Sequence, residues 1–241
     1  FRIGHAPYRG PYKGGIRFAI GVVEPMIRAL ATEMSIKNAI AGLPYGGGKG
    51  GAAINPRELS VKELARLTRG YVNECLKQDP NAFGALLDVP AGDIGTTSRE
   101  MGWFADEFLK LKGSELFETD EFRAILAKGD ETSLPYLEYY MKKYYGKRHI
   151  DMSKGALLSV VTAKPEGAKT GGAKGRTPAT GKGLYFVTRE ALKVYGERLG
   201  IGTSVKGQRV AVEAYGNVGS YAARDFRKDG ASIMAIKEFV E

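Results

Sequence analysis

Apolar residues recur at helical spacing in the first fifty positions of the chain. Met26, Leu30 and Met34 lie four residues apart, and this period predicts a helix over residues 24–41 with an apolar side facing the core. Lys37 continues the same stripe and therefore falls on the face predicted to be buried. A lysine at such a position either extends its amine out at the helix end or points into a cavity.

Two more helices and a short strand follow. Ser60 and Glu63 form a capping-box pattern before an amphipathic run, which predicts a helix over residues 60–77. The segment ALLDVPAGDIG is typical of a short buried strand that ends in a loop. A further helix is predicted over residues 97–111.

The middle of the chain is less regular. Residues 114–155 are rich in Tyr, Lys and Glu and predict two short helices broken near Leu134 and Pro135. Their Tyr/Lys mixture fits an amphipathic surface helix or subunit contact, with a nucleic-acid surface as the alternative. Residues 164–183 are rich in Gly, Lys and Pro and could form either a flexible linker or a phosphate-facing loop.

The last part of the chain predicts a helix followed by a βαβ unit. Thr180 is a natural N-cap for a helix over residues 181–198. The strands RVAVEA and ASIMAIKE then flank the helical segment YGNVGSYAARDFRKDG. Together these patterns predict an α/β fold.

The turn AYGNVG resembles the G-x-G-x-x-G fingerprint of dinucleotide-binding folds. Ala214 replaces the first glycine, which costs little if its φ stays negative, whereas Gly216 and Gly219 are retained. The helix N-terminus that follows would supply N–H donors to a pyrophosphate. Glu238, about twenty residues further on, would bond the adenosine ribose and disfavour a 2′-phosphate.

Three lysines near the start suggest an anion-binding pocket. Lys13 in GPYKGGIRF and Lys49 in PYGGGKGG are predicted to lie in glycine-rich turns, and Lys37 on the buried helix face. Lysines are rarely buried without a partner. Three of them in one segment suggest a site for a small acid with more than one carboxylate.

Composition excludes several classes of site. The 241 residues are 43% hydrophobic with a net charge of +9, enough apolar content for a folded core. Cys75 is the one cysteine, and His5 and His149 lie far apart, so we expect no metal site. We find no apolar run long enough for a membrane span and no signal peptide, and we expect a cytoplasmic protein, with the mitochondrial matrix as the alternative.

Five stretches occur in the order and spacing of one family, so that the chain resembles glutamate dehydrogenase within the Glu/Leu/Phe/Val dehydrogenase superfamily. They are RGPYKGGIRF, EMSIKNAIAGLPYGGGKGG, DVPAGDIGTTSREMGWFADEF, GRTPATGKG and VAVEAYGNVG. The resemblance implies two α/β domains: a substrate domain over residues 1–165, with an insertion at about 114–155, and a truncated Rossmann-type cofactor domain over 180–241.

The resemblance also implies roles for single residues. It assigns catalysis to Lys49 and Asp93, the substrate α-carboxylate to Lys37 with Met34 beside it, and the γ-carboxylate to Lys13. Nicotinamide-nucleotide binding would fall to Thr180, Gly216, Asn217, Val218, Gly219 and Glu238.

These roles imply a reaction. The family catalyses reversible oxidative deamination of L-glutamate to 2-oxoglutarate and ammonia with NAD or NADP, of which Glu238 slightly favours NAD. The resemblance further implies a homo-hexamer and predicts neither a nucleic-acid nor a membrane partner.

Three alternatives stay open. A related leucine, phenylalanine or valine dehydrogenase would have an apolar residue where this chain has Lys13, because a cation facing an apolar substrate is left unpaired. A basic nucleic-acid-binding protein would use the Tyr/Lys insertion and bind with steep salt dependence. A catalytically silent subunit would not need both Lys49 and Asp93.

Overall fold

A four-stranded sheet organises the first part of the chain in the computed structural model, which describes residues 1–113, 119–145, 157–167 and 169–238. The strands are Arg2–His5 (β1), Tyr12–Phe18 (β2), Gly46–Ala52 (β3) and Asp88–Gly92 (β4), in the spatial order β1-β3-β2-β4. β2 is parallel to both β3 and β4, whereas β1 runs antiparallel to β3. The sheet and its helices confirm the predicted α/β fold.

The glycine-rich segments around Lys13 and Lys49 are strands, so the prediction of turns is wrong. Lys13 lies within β2, opposite Gly47, and Lys49 lies within β3. Glycine is depleted in strands in general, but here it makes room for a helix. A β-carbon at Gly47 would lie only 1.9 Å from the carbonyl oxygen of Ala31.

Helix α1, Glu24–Ile40, confirms the helix predicted over residues 24–41 but presents a different face to the core. Its buried residues are Ile27, Ala31, Ser35 and Asn38. Met26 and Lys37 are exposed, and Leu30 and Met34 are half-buried. The prediction that Lys37 lies on the buried face is therefore wrong, because the apolar stripe lies beside the face that packs on β3.

Helices α2 (Val61–Gln78) and α3 (Ser98–Lys112) begin at capping boxes. Ser60 accepts a hydrogen bond from the backbone N–H of Glu63, and the Glu63 carboxylate accepts one in return, as predicted. Thr97 and Glu100 form a second box at α3. A capping residue of this kind stabilises a helix by about 1 kcal/mol.

The described part of the insertion contributes to the main core. It contains α4 (Asp120–Leu126), α5 (Pro135–Tyr140) and a π-helical turn over Met141–Tyr145. Two short helices are confirmed. Helix α4 is largely exposed and buries Phe122, as expected for an amphipathic surface helix, whereas α5 buries the side chains of Leu137, Tyr139 and Tyr140 against α3. Residues 114–118 and 146–156 of the predicted insertion lie outside the described residues.

A second compact unit spans residues 174–241, after a first unit that ends at Ala173. It contains α6 (Ala179–Tyr195), β5 (Arg209–Glu213), α7 (Asn217–Lys228) and β6 (Ser232–Lys237), with β5 and β6 parallel. The predicted βαβ unit is confirmed. Thr180 is not the N-cap of α6. The helix begins at Ala179, so Thr180 lies inside it and Pro178 occupies the capping position.

In the part of the chain that the structure describes, none of the helices is both long enough and apolar enough to cross a membrane.

Candidate active site

A lysine and an aspartate meet beside β2 in the first unit. The Nζ of Lys49 lies 3.0 Å from Oδ2 of Asp93, and their side chains are 6% and 21% exposed. Lys49 is fixed by the central strand β3, and Asp93 follows directly after β4. The structure thus brings together the two residues that the sequence predicts to be catalytic.

The turn that carries Asp93 is tied to β2. The hydroxyl of Thr96 accepts a hydrogen bond from the backbone N–H of Asp93 at 2.8 Å and donates one to the carbonyl of Ile16 at 2.8 Å. A β-carbon at Gly15 would lie 2.6 Å from Cβ of Asp93, so only glycine lets the aspartate approach the strand this closely. These contacts hold the carboxylate in one place relative to Lys49.

A third charged side chain, Arg17, completes the cluster. Its Nε donates a hydrogen bond to Oδ2 of Asp93 at 2.8 Å. Partial burial alone raises the pKa of the Asp93 carboxyl, but hydrogen bonds from Arg17 and Lys49 outweigh burial and hold the pKa below its usual range. The carboxylate is therefore ionised at neutral pH.

Arg17 and Thr96 were not predicted as site residues, although they lie within the motifs RGPYKGGIRF and DVPAGDIGTTSREMGWFADEF. Arg17 is flanked in β2 by Ile16 and Phe18, which are each 1% exposed. A charged residue between two core residues of a strand points to the opposite face of the sheet. That alternation is the signal that could have identified Arg17.

The predicted substrate residues lie on β2 and α1. Lys13 is half-buried, opposite Gly47 of β3 and Val89 of β4. Met34 is half-buried. Its side chain lies over β2, as a β-carbon at Gly14 would come within 3.1 Å of the Met34 Cγ. Lys37 is exposed one helical turn after Met34.

The second unit contains the predicted dinucleotide turn. Helix α7 begins at Asn217 directly after Gly216, and Gly216, Asn217 and Val218 are exposed. A β-carbon at Gly219 would lie 1.9 Å from the carbonyl oxygen of Ala214, so this glycine permits close packing of the helix start on the strand end. Open space around Gly216 and the free helix N-terminus fit a pyrophosphate group.

The condition under which Ala214 would cost little, a negative φ, is not met. Its φ is 65°, in the left-handed region that favours glycine. An L-residue in this conformation costs about 1–2 kcal/mol. The backbone N–H of Ala214 donates to the carbonyl of Lys237 at 2.8 Å, and this strand-end contact helps to hold the turn despite the strain.

The other predicted cofactor residues occupy exposed positions in the same unit. Thr180 lies in the first turn of α6, and Glu238 follows β6 directly. The side-chain amide of Asn217 donates to the carbonyl of Thr177 at 3.0 Å, which links the helix start of α7 to the segment before α6.

Comparison with known proteins gives two family matches. Residues 1–110 match the model described as Glu/Leu/Phe/Val dehydrogenase, dimerisation domain, and residues 171–239 match the model described as Glutamate/Leucine/Phenylalanine/Valine dehydrogenase. The first match lies within the first compact unit, and the second covers nearly all of the second unit together with the last three residues of the first.

Individual relatives agree with the family matches. The chain is 34% identical, over 99% of its length, to the NAD-specific glutamate dehydrogenase of Clostridioides difficile, and spans 44% of that protein. Among solved structures, glutamate dehydrogenase from Peptoniphilus asaccharolyticus matches with a TM-score of 0.66 and 32% identity, over 100% of this chain and 48% of that one. The Leu-bound form of hetero-hexameric glutamate dehydrogenase from Thermus thermophilus matches with a TM-score of 0.67 and 27% identity, over 98% of this chain and 44% of that one.

Proposed function

The chain belongs to the Glu/Leu/Phe/Val dehydrogenase family, and we propose that the complete protein catalyses the reversible, nicotinamide-nucleotide-dependent oxidative deamination of L-glutamate to 2-oxoglutarate and ammonia. The observation that carries the proposal is the ion pair between Lys49 and Asp93, at 3.0 Å on a rigid sheet. The name of the Clostridioides difficile relative supports glutamate as the substrate and NAD as the cofactor.

Lys49 and Asp93 divide the proton transfers. Deamination passes through an iminium that water attacks, and an amine in its neutral form can take the proton of that water. Lys49, almost fully buried in β3, is the group for this step. Asp93 exchanges the proton of the substrate amine, because its carboxylate is ionised and lies within reach of Lys49.

Lys13, Lys37 and Met34 form the substrate-binding set. Lys37 pairs with the α-carboxylate, Lys13 pairs with the γ-carboxylate, and Met34 contacts the substrate between them. Lys13 selects glutamate over apolar amino acids, since a cation opposite an apolar side chain loses its partner. A homologous chain with an apolar residue at position 13 would prefer leucine, phenylalanine or valine.

The second unit supplies the cofactor site. A bound nicotinamide nucleotide would supply the hydride acceptor for the oxidation of the substrate. Gly216, Asn217, Val218 and Gly219 hold the pyrophosphate at the start of α7, and Thr180 contacts the nicotinamide amide. Glu238 bonds the adenosine ribose, and its negative charge favours NAD over NADP.

A homo-hexamer is the proposed assembly. The likeness to a hetero-hexameric glutamate dehydrogenase supports six subunits, although that protein combines different chains. Light scattering on the purified complete protein tests this: a mass of six identical subunits supports the proposal, and a smaller assembly or a second co-purifying chain contradicts it.

Steady-state kinetics of the complete protein test the activity. Glutamate should reduce NAD, and NADP more slowly, and Lys49→Ala should lower kcat by about 10²–10⁴-fold. Lys62→Ala, at an exposed lysine of α2, is the matched control and should keep the wild-type rate. Full activity in Lys49→Ala would contradict the proposal.

Substrate choice has its own variant. Lys13→Leu should reduce kcat/KM for glutamate far more than kcat/KM for leucine. The control variant Lys62→Leu should leave kcat/KM unchanged for both substrates. Equal losses on both substrates would instead favour a related amino-acid dehydrogenase.

A further inference from the structure

Asp93 is contacted by two cations at the same oxygen. The Nε of Arg17 lies 2.8 Å from Oδ2, and the Nζ of Lys49 lies 3.0 Å from the same atom. Both cations therefore anchor the same oxygen of the carboxylate.

Arg17 is well placed to act as the anchor. It lies in the middle of β2, opposite Gly51 of β3, and its side chain is only 19% exposed. The neighbouring Ile16 and Phe18 are fully packed in the core, so the strand cannot shift without disturbing that packing. A planar guanidinium on a rigid strand fixes the direction of the carboxylate as well as its distance.

In this arrangement Lys49 and Arg17 have different roles. Lys49 must change its protonation state if it activates water, whereas a guanidinium stays charged throughout. If Lys49 alone held Asp93, each change of its charge would loosen the carboxylate. Arg17 supplies a permanent positive charge on the same oxygen and keeps the aspartate in place while Lys49 reacts.

We propose that Arg17 is a positioning residue of this site, which fixes the Asp93 carboxylate beside Lys49 and acts through it on proton exchange with the substrate amine. The inference rests on the proposed deamination. It adds a residue to which neither the family matches nor the names of the relatives assign a role. The direction of the Asp93 pKa agrees with it, since the hydrogen bond from Arg17 is the largest of the contributions that lower that pKa.

Arg17→Met should change catalysis in a specific way. We expect kcat for glutamate to fall by about 10–100-fold, with KM changed less than about threefold, because the proposal assigns Arg17 the positioning of Asp93 and no binding of the substrate. Without the guanidinium, the pKa of Asp93 rises, so the acid limb of the kcat/KM profile should move to higher pH. Arg17→Lys keeps the charge but not the same hydrogen bond, so its acid limb should lie between those of the wild type and Arg17→Met.

Arg28→Met is the matched control. Arg28 forms an exposed ion pair with Glu24, with side chains that are 66% and 47% exposed, and its loss should leave kcat, KM and the pH profile unchanged. An unchanged acid limb in Arg17→Met, or an effect confined to KM, would overturn the proposal. Equal impairment of Arg17→Lys and Arg17→Met would overturn it as well.

A second measurement works without turnover. The carboxyl ¹³C resonance of Asp93, assigned by its loss in Asp93→Asn, is titrated in the wild type, Arg17→Lys and Arg28→Met. We expect the titration midpoint of Asp93 to be higher in Arg17→Lys than in the wild type, because the shorter lysine cannot form the same hydrogen bond. We expect no shift of this midpoint in Arg28→Met. Equal midpoints in all three would overturn the role of Arg17, even if Arg17→Met fails to fold.

Failure of the wild type to oxidise glutamate would contradict the proposed function instead, while the titration would still report whether Arg17 controls the pKa of Asp93.

Discussion

Two aspartates of the first unit meet an arginine at the same distance and respond in opposite ways. Asp93 accepts from Arg17 and Asp106 accepts from Arg69, each at 2.8 Å. The pKa of Asp93 lies below its usual range. Burial raises the pKa of Asp106 to about 6, against the opposing effects of Arg69 and of a backbone N–H.

Burial and the sharing of one guanidinium explain the difference between the pKa values of Asp93 and Asp106. Asp93 is 21% exposed and pairs with both Arg17 and Lys49. Asp106 is fully buried and shares Nη1 of Arg69 with Glu107, which lies 3.1 Å away and is only 2% exposed. Lys110 lies 3.2 Å from Glu107, but Asp106 itself pairs with the shared guanidinium, which does not fully offset the desolvation of Asp106.

The Asp106 cluster fastens the insertion to the rest of the unit. Oδ1 of Asp106 accepts from the backbone N–H of Leu137 at 2.8 Å, and Nη2 of Arg69 donates to the carbonyl of Ser133 at 2.8 Å. A perturbed pKa alone would have marked Asp106 as functional. The neighbours of each carboxylate separate the two roles, because Asp93 lies beside an amine and Asp106 beside backbone groups.

Asp93→Asn tests the catalytic side of the comparison and should have the largest effect. We expect kcat for glutamate to fall by about 10²–10⁴-fold, since an amide cannot exchange the proton of the substrate amine. Asp106→Asn should keep kcat within about threefold of the wild type. Initial rates at saturating glutamate measure both, and a larger loss in Asp106→Asn than in Asp93→Asn would reverse the assignment.

Arg69→Met tests the structural side. Removal of the guanidinium leaves Asp106 and Glu107 buried with less compensation, which we expect to lower the free energy of unfolding by about 3–5 kcal/mol. The control is Arg66→Met, since Arg66 pairs with Glu131 at the surface and its loss should cost less than about 1 kcal/mol. Urea denaturation at pH 7 measures both, and similar losses in the two variants would show that the buried cluster adds no special stability.

The sequence was sufficient wherever a local signal decided the structure. The capping box at Ser60 and the βαβ pattern around Gly216 were predicted correctly, because caps and tight turns depend on residues close together in the chain. The family motifs also identified Lys49 and Asp93, which the fold brings within 3.0 Å.

Tertiary packing decided what the sequence could not show. The segment GGGKGG has the composition of a turn, yet it is a central strand, because α1 packs so closely on it that larger side chains would clash. Lys37 was assigned to the wrong face, since the side of α1 that packs on β3 uses Ala31 and Ser35 rather than the larger apolar residues. The fully buried face of α5 was missed because its tyrosines are also common at surfaces.

Asp106→Asn should have the smallest effect at neutral pH but a distinct dependence on pH. The folded pKa of about 6 lies above the ordinary value of 3.8, so the native state binds more protons than the unfolded state between these values. The stabilisation is complete below about pH 3.8 and is lost as pH rises through about 6, a change of about 3 kcal/mol. Arg69, Glu107, Lys110 and Tyr136 face the same cluster and are present in both proteins.

Urea denaturation between pH 4.5 and 7.5 measures this difference between the wild type and Asp106→Asn. The wild type should lose stability relative to the variant as pH rises, because the variant has no carboxyl at position 106 to ionise. Asp120→Asn removes an exposed carboxylate and should give a curve parallel to the wild type. A wild-type curve that is also parallel to Asp106→Asn would mean that Arg69 compensates Asp106 as completely as Arg17 and Lys49 compensate Asp93, and the contrast between the two carboxylates would then reflect position alone.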